Sequence, residues 1–372
     1  MTEPVAPGTS APAPSPAPLD EHRETARRVG LVYVSDGFAG IRRKGVGKGW
    51  AFYYPDGRRI TDKAERKRIL SLAIPPAWTD VWICPDPRGH IQVTARDARG
   101  RKQYRYHATY REARDASKFR FMLEFSEMLP DIREQVERDL GAPDLSRRQI
   151  LATVVRLLDK TLIRVGNQEY ARDNNSFGLT TLRTRHVKVK GADLRFTFRG
   201  KSGVEHTVAL TDRRLARIIQ RVQDLPGHEL FQYLDHEGNR QVVTSGDVNE
   251  YLREMTEGEV TAKNFRTWAG TILAAQELRR LGPAATVKEA EKNIIAAVDL
   301  VAKRLGNTRA VCRKYYIHPT IISTYLAGLT APPASDIATP RPNKNGRTSG
   351  ALRRDEVAVL QFLEDHAEDG NG

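Results

Sequence analysis

The chain has 372 residues and carries 60 Lys and Arg against 46 Asp and Glu, which gives a formal net charge of +14 at pH 7. With 40% hydrophobic and 28% charged residues it can bury a sizeable core, and its length favours two domains over one. No run reaches the ~18 uncharged apolar residues of a membrane span, and no secretory signal is visible, so a cytoplasmic protein is expected. The two cysteines, Cys84 and Cys312, are too few and too far apart for a disulfide framework or a zinc site.

The charge is unevenly distributed. Residues 351–372 hold six Asp or Glu against two Arg, so the rest of the chain is more basic than the whole. A basic body favours a phosphate backbone as partner, because each Lys or Arg near a phosphate releases condensed counterions. A soluble enzyme with a high isoelectric point is the alternative that charge alone leaves open.

Residue patterns in chain order predict an α+β protein in four segments. Residues 1 to 27 alternate Ala and Pro and predict a disordered tail. Residues 28 to 108 contain strand-like stretches such as WAFYYPDGRRI and HIQVTARD, with one helix at KAERKRILSLA, and predict a small β-rich domain. Residues 109 to 331 predict a larger, mainly helical domain, and residues 332 to 372 predict a flexible linker followed by a short acidic helix.

Two patterns organise the larger domain. Apolar residues at three-and-four spacing predict one buried helix face at Leu151, Val154, Val155, Leu158 and Leu162. Alternation in LRFTFR, followed by GKSG and VEHTVAL, predicts a β-hairpin with Lys201 at its tip. Further helices are predicted at residues 211–222, 246–256, 261–281, 287–305 and 315–329.

The glycine-rich stretch GIRRKGVGKGW is not a nucleotide-binding loop. A P-loop requires Ser or Thr after its lysine, but Gly49 follows Lys48, and no GxGxxG fingerprint is present. The stretch instead predicts a flexible cationic loop, in which Arg42, Arg43, Lys44 and Lys48 either contact phosphates or belong to a solvated turn.

No metal-binding or hydrolase motif is visible among the histidines, carboxylates and serines, so neither a metal nor a cofactor is predicted. Phosphoryl transfer without a metal must stabilise its charge with fixed cations, and the planar fork of arginine suits two phosphate oxygens at once. Candidate cations are Arg164, Lys201, Lys263 and Arg266. Lys263 and Arg266, three residues apart on a helix, are expected on one polar flank, where each alone could be an ordinary surface charge.

The order of these motifs resembles a known family. RVGNQEY, GLTTL, the GK hairpin, KNFR and GNTRAVCRKYY follow one another as in the catalytic domain of type IB DNA topoisomerases of the short, poxvirus-like bacterial form. GRKQYRYH at residues 100–107 is similar to a motif in the β-rich N-terminal, DNA-binding domain of that family. The resemblance covers roughly residues 29 to 330. It implies the fold shared by tyrosine recombinases and type IB topoisomerases, and relaxation of supercoiled DNA without ATP or metal, through a 3'-phosphotyrosyl intermediate, strand rotation and religation.

The resemblance also implies roles for individual residues. Tyr316, nine residues after Asn307, matches the nucleophile, and Arg164 and Arg266 match the pair that clamps the scissile phosphate. Lys201 matches the lysine that protonates the leaving 5'-oxygen, with Lys263 as a second cation near that oxygen. Asn307 stands where eukaryotic and viral members have histidine, and an asparagine can donate a hydrogen bond but carries no proton. The implied DNA-contacting residues of the N-terminal domain are Gln103, Tyr104 and Tyr106.

Duplex DNA is the implied partner, held by a monomer that closes around it in the nucleoid, with no nucleotide cofactor. The chemistry agrees, because a phenol with a pKa of ~10 needs nearby cations to react near neutral pH. A tyrosine recombinase is the nearest alternative. That family usually has HxxR where this chain has Lys263 and Arg266, and recombinases carry a helical N-terminal clamp where this chain is predicted to be β-rich. A non-catalytic DNA-binding protein is the other alternative, and it would not require Tyr316.

Overall fold

A computed structural model describes residues 19–47, 49–98, 100–143, 145–256, 260–336 and 351–366. The chain forms two compact units, Met1–Lys118 and Phe119–Gly372. Among the described residues, no helix has the length and apolar character needed to cross a membrane.

The N-terminal unit is built on a five-stranded antiparallel sheet with the strand order β2-β1-β3-β4-β5. Its apolar core is formed by side chains from the sheet, from helix α2 and from the loop between β2 and α2: Ile41, Phe52, Ile60, Ile69, Ile83 and Val93. The elements are α1 (Leu19–Arg28), β1 (Ile41–Val46), β2 (Gly49–Tyr53), α2 (Lys63–Ser71), β3 (Thr79–Ile83), β4 (Ile91–Arg96), β5 (Lys102–Tyr106) and the start of α3 (Ala108–Asp139).

Two predictions for this unit are wrong. The glycine-rich stretch is a β-hairpin rather than a loop, and its last pair is Val46 with Gly49. Gly47, directly after Val46, has a φ angle of +57°, which glycine adopts readily. The disordered tail was predicted to residue 27, but Leu19–Arg28 is helical, because the prolines end at Pro18 and good helix formers follow. The rest of that tail, residues 1–18, and Lys48 lie outside the described residues.

The C-terminal unit is mainly helical, as predicted. Helix α8 packs against α4, α7, α9, α11 and α12 and so lies at the centre of the unit. The helices are α4 (Arg147–Thr161), α5 (Gln168–Asn174), α6 (Arg213–Gln223), α7 (Ser245–Thr256), α8 (Ala262–Leu281), α9 (Val287–Leu305), α10 (Arg309–Tyr315), α11 (Pro319–Leu326) and α12 (Arg354–Asp365). The strands are β6 (Val187–Lys190), β7 (Asp193–Arg199), β8 (Glu205–Thr211), β9 (Gln232–Leu234) and β10 (Arg240–Val242).

The predicted hairpin is confirmed. Strands β7 and β8 pair from Asp193 with Thr211 to Arg199 with Glu205, and a turn of 3-10 helix at Lys201–Gly203 joins them. Strand β6, which the sequence pattern did not predict, adds a third strand beside β7. Alternate residues of β7 are buried, so one face of the sheet packs on the core and the other is exposed.

The acidic C-terminal helix belongs to the core of this unit, which corrects the predicted boundary at residue 331. Leu352, Val357, Leu360 and Leu363 are buried in the same apolar cluster as α4 and α8. The helix is amphipathic, with Glu364 and Asp365 exposed, whereas Glu356 is buried together with the apolar residues. Residues 337–350, most of the predicted linker, lie outside the described residues.

Candidate active site

Arg266 is buried, with 4% of its surface exposed, so its predicted place on a polar flank is wrong. Its Nη1 donates to the carbonyl oxygen of Leu162, and its Nη2 donates to that of Leu305 at 2.8 Å. Leu162 caps the end of α4 and Leu305 is the last residue of α9. Helix C-termini leave carbonyl oxygens unpaired and carry a partial negative charge, which is why a guanidinium is stable between them.

Arg164 lies in the loop after α4. Its Nη2 donates to the carbonyl oxygen of Gly306 at 2.8 Å and to Oδ1 of Asn307. The GLTTL segment holds this loop, because the backbone N–H of Leu179 donates to the carbonyl of Arg164 at 2.8 Å. A Cβ on Gly178 would lie 2.6 Å from that carbonyl oxygen, so the two segments approach too closely for any side chain there.

Tyr316 directly follows α10, and its N–H donates to the carbonyl of Cys312 at 2.9 Å. Its backbone lies against α8, since a Cβ on Gly270 would be 2.5 Å from the Tyr316 carbonyl oxygen. The Cζ atom of Arg266 is 5.5 Å from the centre of the Tyr316 ring. The adjacent ring of Tyr315 has the ammonium of Lys314 5.3 Å from its centre.

The charges around Tyr316 favour its phenolate. Burial by itself raises the pKa of the phenol, but Arg266, Lys263 and Arg164 outweigh it and hold that pKa below its ordinary value. Burial, together with the charge of Arg266, lowers the pKa of Arg164 to about 10, so this guanidinium is still charged at neutral pH. Neither arginine forms an ion pair with a carboxylate of the described residues.

The structure brings four predicted residues together in one cluster: Arg164, Arg266, Asn307 and Tyr316. Lys263 is exposed one turn before Arg266 on α8 and acts on Tyr316 through its charge. Lys201 stands exposed at the hairpin tip, with its Nζ 5.9 Å from the centre of the Tyr170 ring on α5. The catalytic roles of these six residues stay predictions at this point.

His206 and Cys312 border this group, although no motif singled them out. Burial lowers the pKa of His206, and so do the charges of Arg164 and Arg266. Burial raises the pKa of Cys312 to about 11. The alternation of β8 puts His206 on the same inward face as Val208 and Leu210. This alternation was the one sequence pattern that could have indicated an inward-facing histidine.

The predicted DNA-contacting residues of the N-terminal unit lie on β5, an edge strand of its sheet. Tyr104 and Tyr106 are two residues apart on one face, with ring centres 6.1 Å apart and nearly parallel planes. Gln103 belongs to the opposite face, and its amide donates to Asp97 at 3.0 Å. DNA contact by these three residues stays a prediction.

The cations of strand β1 divide between the two faces of the sheet. Arg43 donates to the carbonyl oxygens of Pro75 at 3.1 Å and Trp78 at 2.6 Å, and its guanidinium lies 3.9 Å from the centre of the Trp50 ring. These contacts occupy Arg43 within the unit, so the geometry disfavours the predicted phosphate contact for this residue. Arg42 and Lys44 are exposed.

Comparisons with known proteins agree with this geometry. Residues 107–331 match the family model of the eukaryotic DNA topoisomerase I catalytic core, and residues 49–97 match that of the bacterial DNA topoisomerase IB N-terminal domain. The DNA topoisomerase 1B of Acanthamoeba polyphaga mimivirus is 32% identical over 294 residues, covering 77% of this chain and 87% of the viral protein. The DNA topoisomerase 1B of vaccinia virus (strain Copenhagen) is 20% identical over 291 residues, covering 73% and 88% respectively.

Proposed function

The chain belongs to the type IB DNA topoisomerases, and we propose that it relaxes supercoiled duplex DNA through a transient bond between Tyr316 and a 3'-phosphate. One strand is nicked, the free end rotates about the intact strand, and the nick is resealed. As a finer proposal, the enzyme acts as a monomer on nucleoid DNA in the cytoplasm, without nucleotide or metal.

The proposal rests on two neighbouring guanidinium groups, the buried one of Arg266 and the half-buried one of Arg164, beside a phenol of lowered pKa. Arg164 and Arg266 repel each other, and neither has a carboxylate partner among the described residues. A buried cation without a counterion is costly, so this site favours an anion that binds between the two groups. A phosphodiester brings one negative charge and two nonbridging oxygens, which two guanidinium forks can grip.

Each proposed role follows from a side chain's chemistry. The Tyr316 oxygen forms a bond to phosphorus while the bond from phosphorus to the 5'-oxygen breaks. The phenolic proton passes to solvent, and the Lys201 ammonium gives a proton to the departing 5'-oxygen. Arg164 and Arg266 stabilise the charge that gathers on the nonbridging oxygens. Asn307 accepts from Arg164 through Oδ1, which leaves its amide nitrogen to donate to the same phosphate.

The energy balance explains how the reaction proceeds without a nucleotide. The phosphotyrosyl linkage is itself a phosphodiester, so cleavage exchanges one such bond for another. The 5'-hydroxyl can then attack the same phosphorus, with Tyr316 as the leaving group and Lys201 accepting the proton. The sequence has no P-loop, in agreement with this balance.

A plasmid assay tests the proposal. Supercoiled DNA is incubated with the protein in EDTA and without ATP, and we expect a ladder of relaxed topoisomers together with a denaturant-resistant protein–DNA adduct. Recombined products from paired sites would instead favour a tyrosine recombinase. Unchanged plasmid with a salt-sensitive gel shift would favour a non-catalytic DNA-binding protein.

A further inference from the structure

The imidazole of His206 contacts two turns that carry predicted catalytic residues. One contains Gly200, which directly precedes Lys201 at the hairpin tip. The other contains Gly306, which directly precedes Asn307. A Cβ on Gly200 would lie 2.6 Å from Cδ2 and 2.7 Å from Nε2 of the His206 ring. A Cβ on Gly306 would lie 2.9 Å from Nε2 and would also collide with Cε1.

The backbone at Gly200 indicates that the ring, rather than the turn, requires glycine there. Gly200 has φ −94° and ψ −168°, an extended conformation that any residue adopts. Gly306 has φ +58°, which favours glycine on backbone grounds alone. The missing side chain at Gly200 therefore has one clear use in the structure, which is to make room for His206.

A further contact fixes the ring, and the turn beside the ring is bonded to Arg164. The Phe198 ring, directly across the hairpin from His206, stacks on it with centres 5.3 Å apart and planes 15° apart. The carbonyl oxygen of Gly306 also accepts the 2.8 Å hydrogen bond from Arg164. His206 thus joins the hairpin to the turn that holds both Arg164 and Asn307.

The charges near His206 favour its neutral form, which suits a packing role. Arg164 and Arg266 are the cations that lower its pKa, in addition to burial. A neutral ring adds no further positive charge to the site and stacks on Phe198 as an aromatic surface.

We propose that His206 is a positioning residue for Lys201: it holds the hairpin tip against the Gly306–Asn307 turn, so that the Lys201 ammonium meets the leaving 5'-oxygen while Arg164 and Asn307 hold the phosphate. This inference rests on the proposed function and adds to it a residue that does not touch the DNA in the reaction. Lys201 is exposed at a tip, so it needs such a contact, because a proton donor misplaced by about 1 Å loses much of its effect.

The test compares two leaving groups in single-turnover cleavage by the full chain. One duplex has oxygen at the 5'-bridging position and the other has sulfur, which leaves without a proton because thiols are far more acidic than alcohols. We expect His206→Ala to slow cleavage of the oxygen substrate at least tenfold and to leave cleavage of the sulfur substrate within about threefold of wild type. Lys201→Ala should show the same pattern.

Two additional variants make the result specific. The double variant His206→Ala/Lys201→Ala should cleave the oxygen substrate no more slowly than Lys201→Ala, because both changes remove the same proton donor. Thr207→Ala, the next residue on the exposed face of β8, is the matched control and should behave as wild type.

Several outcomes would overturn the proposal. If His206→Ala slows cleavage of both substrates equally, the ring acts on the phosphate clamp or on folding and not on Lys201. If His206→Ala does not slow cleavage of the oxygen substrate, the ring does not position Lys201. If His206→Ala does not fold, Gly200→Ala tests the same contact, because its new Cβ would displace the His206 ring. Equal slowing of both substrates by Gly200→Ala would also contradict the proposal. A wild-type chain that forms no adduct would refute the proposed function itself, and this inference with it.

Discussion

Arg133 and Glu356 form a buried ion pair although 223 positions separate them in the chain, with both terminal nitrogens 2.8 Å from the carboxylate oxygens. Arg133 also donates to Asp159 on α4 at 2.9 Å. The pair thus connects α12 with the helix that leads into Arg164. Since α12 lies beyond residues 107–331, which match the catalytic core, this part of the chain adds a support of its own to the site.

Breaking this pair should destabilise the C-terminal unit. Arg133→Met leaves Glu356 and Asp159 buried without their main cation, and we expect a loss of about 3–5 kcal/mol in the free energy of unfolding. Urea unfolding followed by circular dichroism measures it. Arg280→Met removes the exposed pair with Glu277 and should change little. A similar small change in both variants would mean that the buried pair is not a support.

Replacing the nucleophile should separate DNA binding from chemistry. Tyr316→Phe removes a single oxygen, so we expect relaxation and the covalent adduct to disappear while salt-dependent DNA binding is nearly unchanged. Gel electrophoresis of the plasmid measures relaxation, electrophoresis under denaturing conditions measures the adduct, and a gel shift measures DNA binding. Tyr315→Phe is the matched control and should keep both activities. Adduct that persists in Tyr316→Phe and disappears in Tyr315→Phe would reverse the assignment.

The shape of Arg266 should matter as much as its charge. A lysine in its place cannot reach the carbonyls of Leu162 and Leu305 and a phosphate oxygen together. We expect Arg266→Lys to slow single-turnover cleavage by a factor of 100 or more, about 3 kcal/mol of transition-state stabilisation. Arg280→Lys, on the exposed side of the same helix, is the control. A loss below tenfold would show that Arg266 is not part of the clamp.

A methyl group at Gly270 should displace Tyr316. Glycine to alanine in a helix normally stabilises it by about 1 kcal/mol, but here the new Cβ would lie 2.5 Å from the Tyr316 carbonyl oxygen. We expect Gly270→Ala to reduce cleavage at least tenfold, since Tyr316 must move away from its place beside Arg266. Single-turnover cleavage measures the effect on the reaction, and thermal unfolding measures the effect on stability. Wild-type cleavage by this variant would contradict the described packing.

The pH dependence of cleavage should depend on Lys263. This lysine helps to hold the pKa of Tyr316 below its ordinary value, so its removal raises that pKa. We expect Lys263→Met to move the rising, acid-side limb of the pH–rate profile to higher pH. The shift should be less than about one pH unit, since water and salt screen the charge of an exposed residue. A sulfur leaving group removes the need for a proton donor and isolates this effect. If the acid-side limb of the Lys263→Met profile coincides with that of wild type, Lys263 does not influence the pKa of Tyr316.

Much of this protein could be predicted from local patterns and motif order. Alternation predicted the β7–β8 hairpin because one face of a sheet packs on the core. Apolar spacing likewise predicted α4, whose face from Leu151 to Leu158 is buried. The order of short motifs indicated the family, and four of the residues that it implied do lie together. These features depend on neighbours within a few residues or on chemistry that a motif carries with it.

Tertiary structure decided what depends on distant partners. Arg266 has the spacing of a surface cation, and its burial follows from two helix ends, one of them 104 positions away. The acidic α12 looked like an appendage, but Arg133 and an apolar cluster bring it into the core. His206 could not be singled out before the fold brought Gly200 and Gly306 together against one edge of its ring. Periodicity reports which side of an element is apolar, whereas the partner that neutralises a buried charge or leaves room for a ring is known only once the chain has folded.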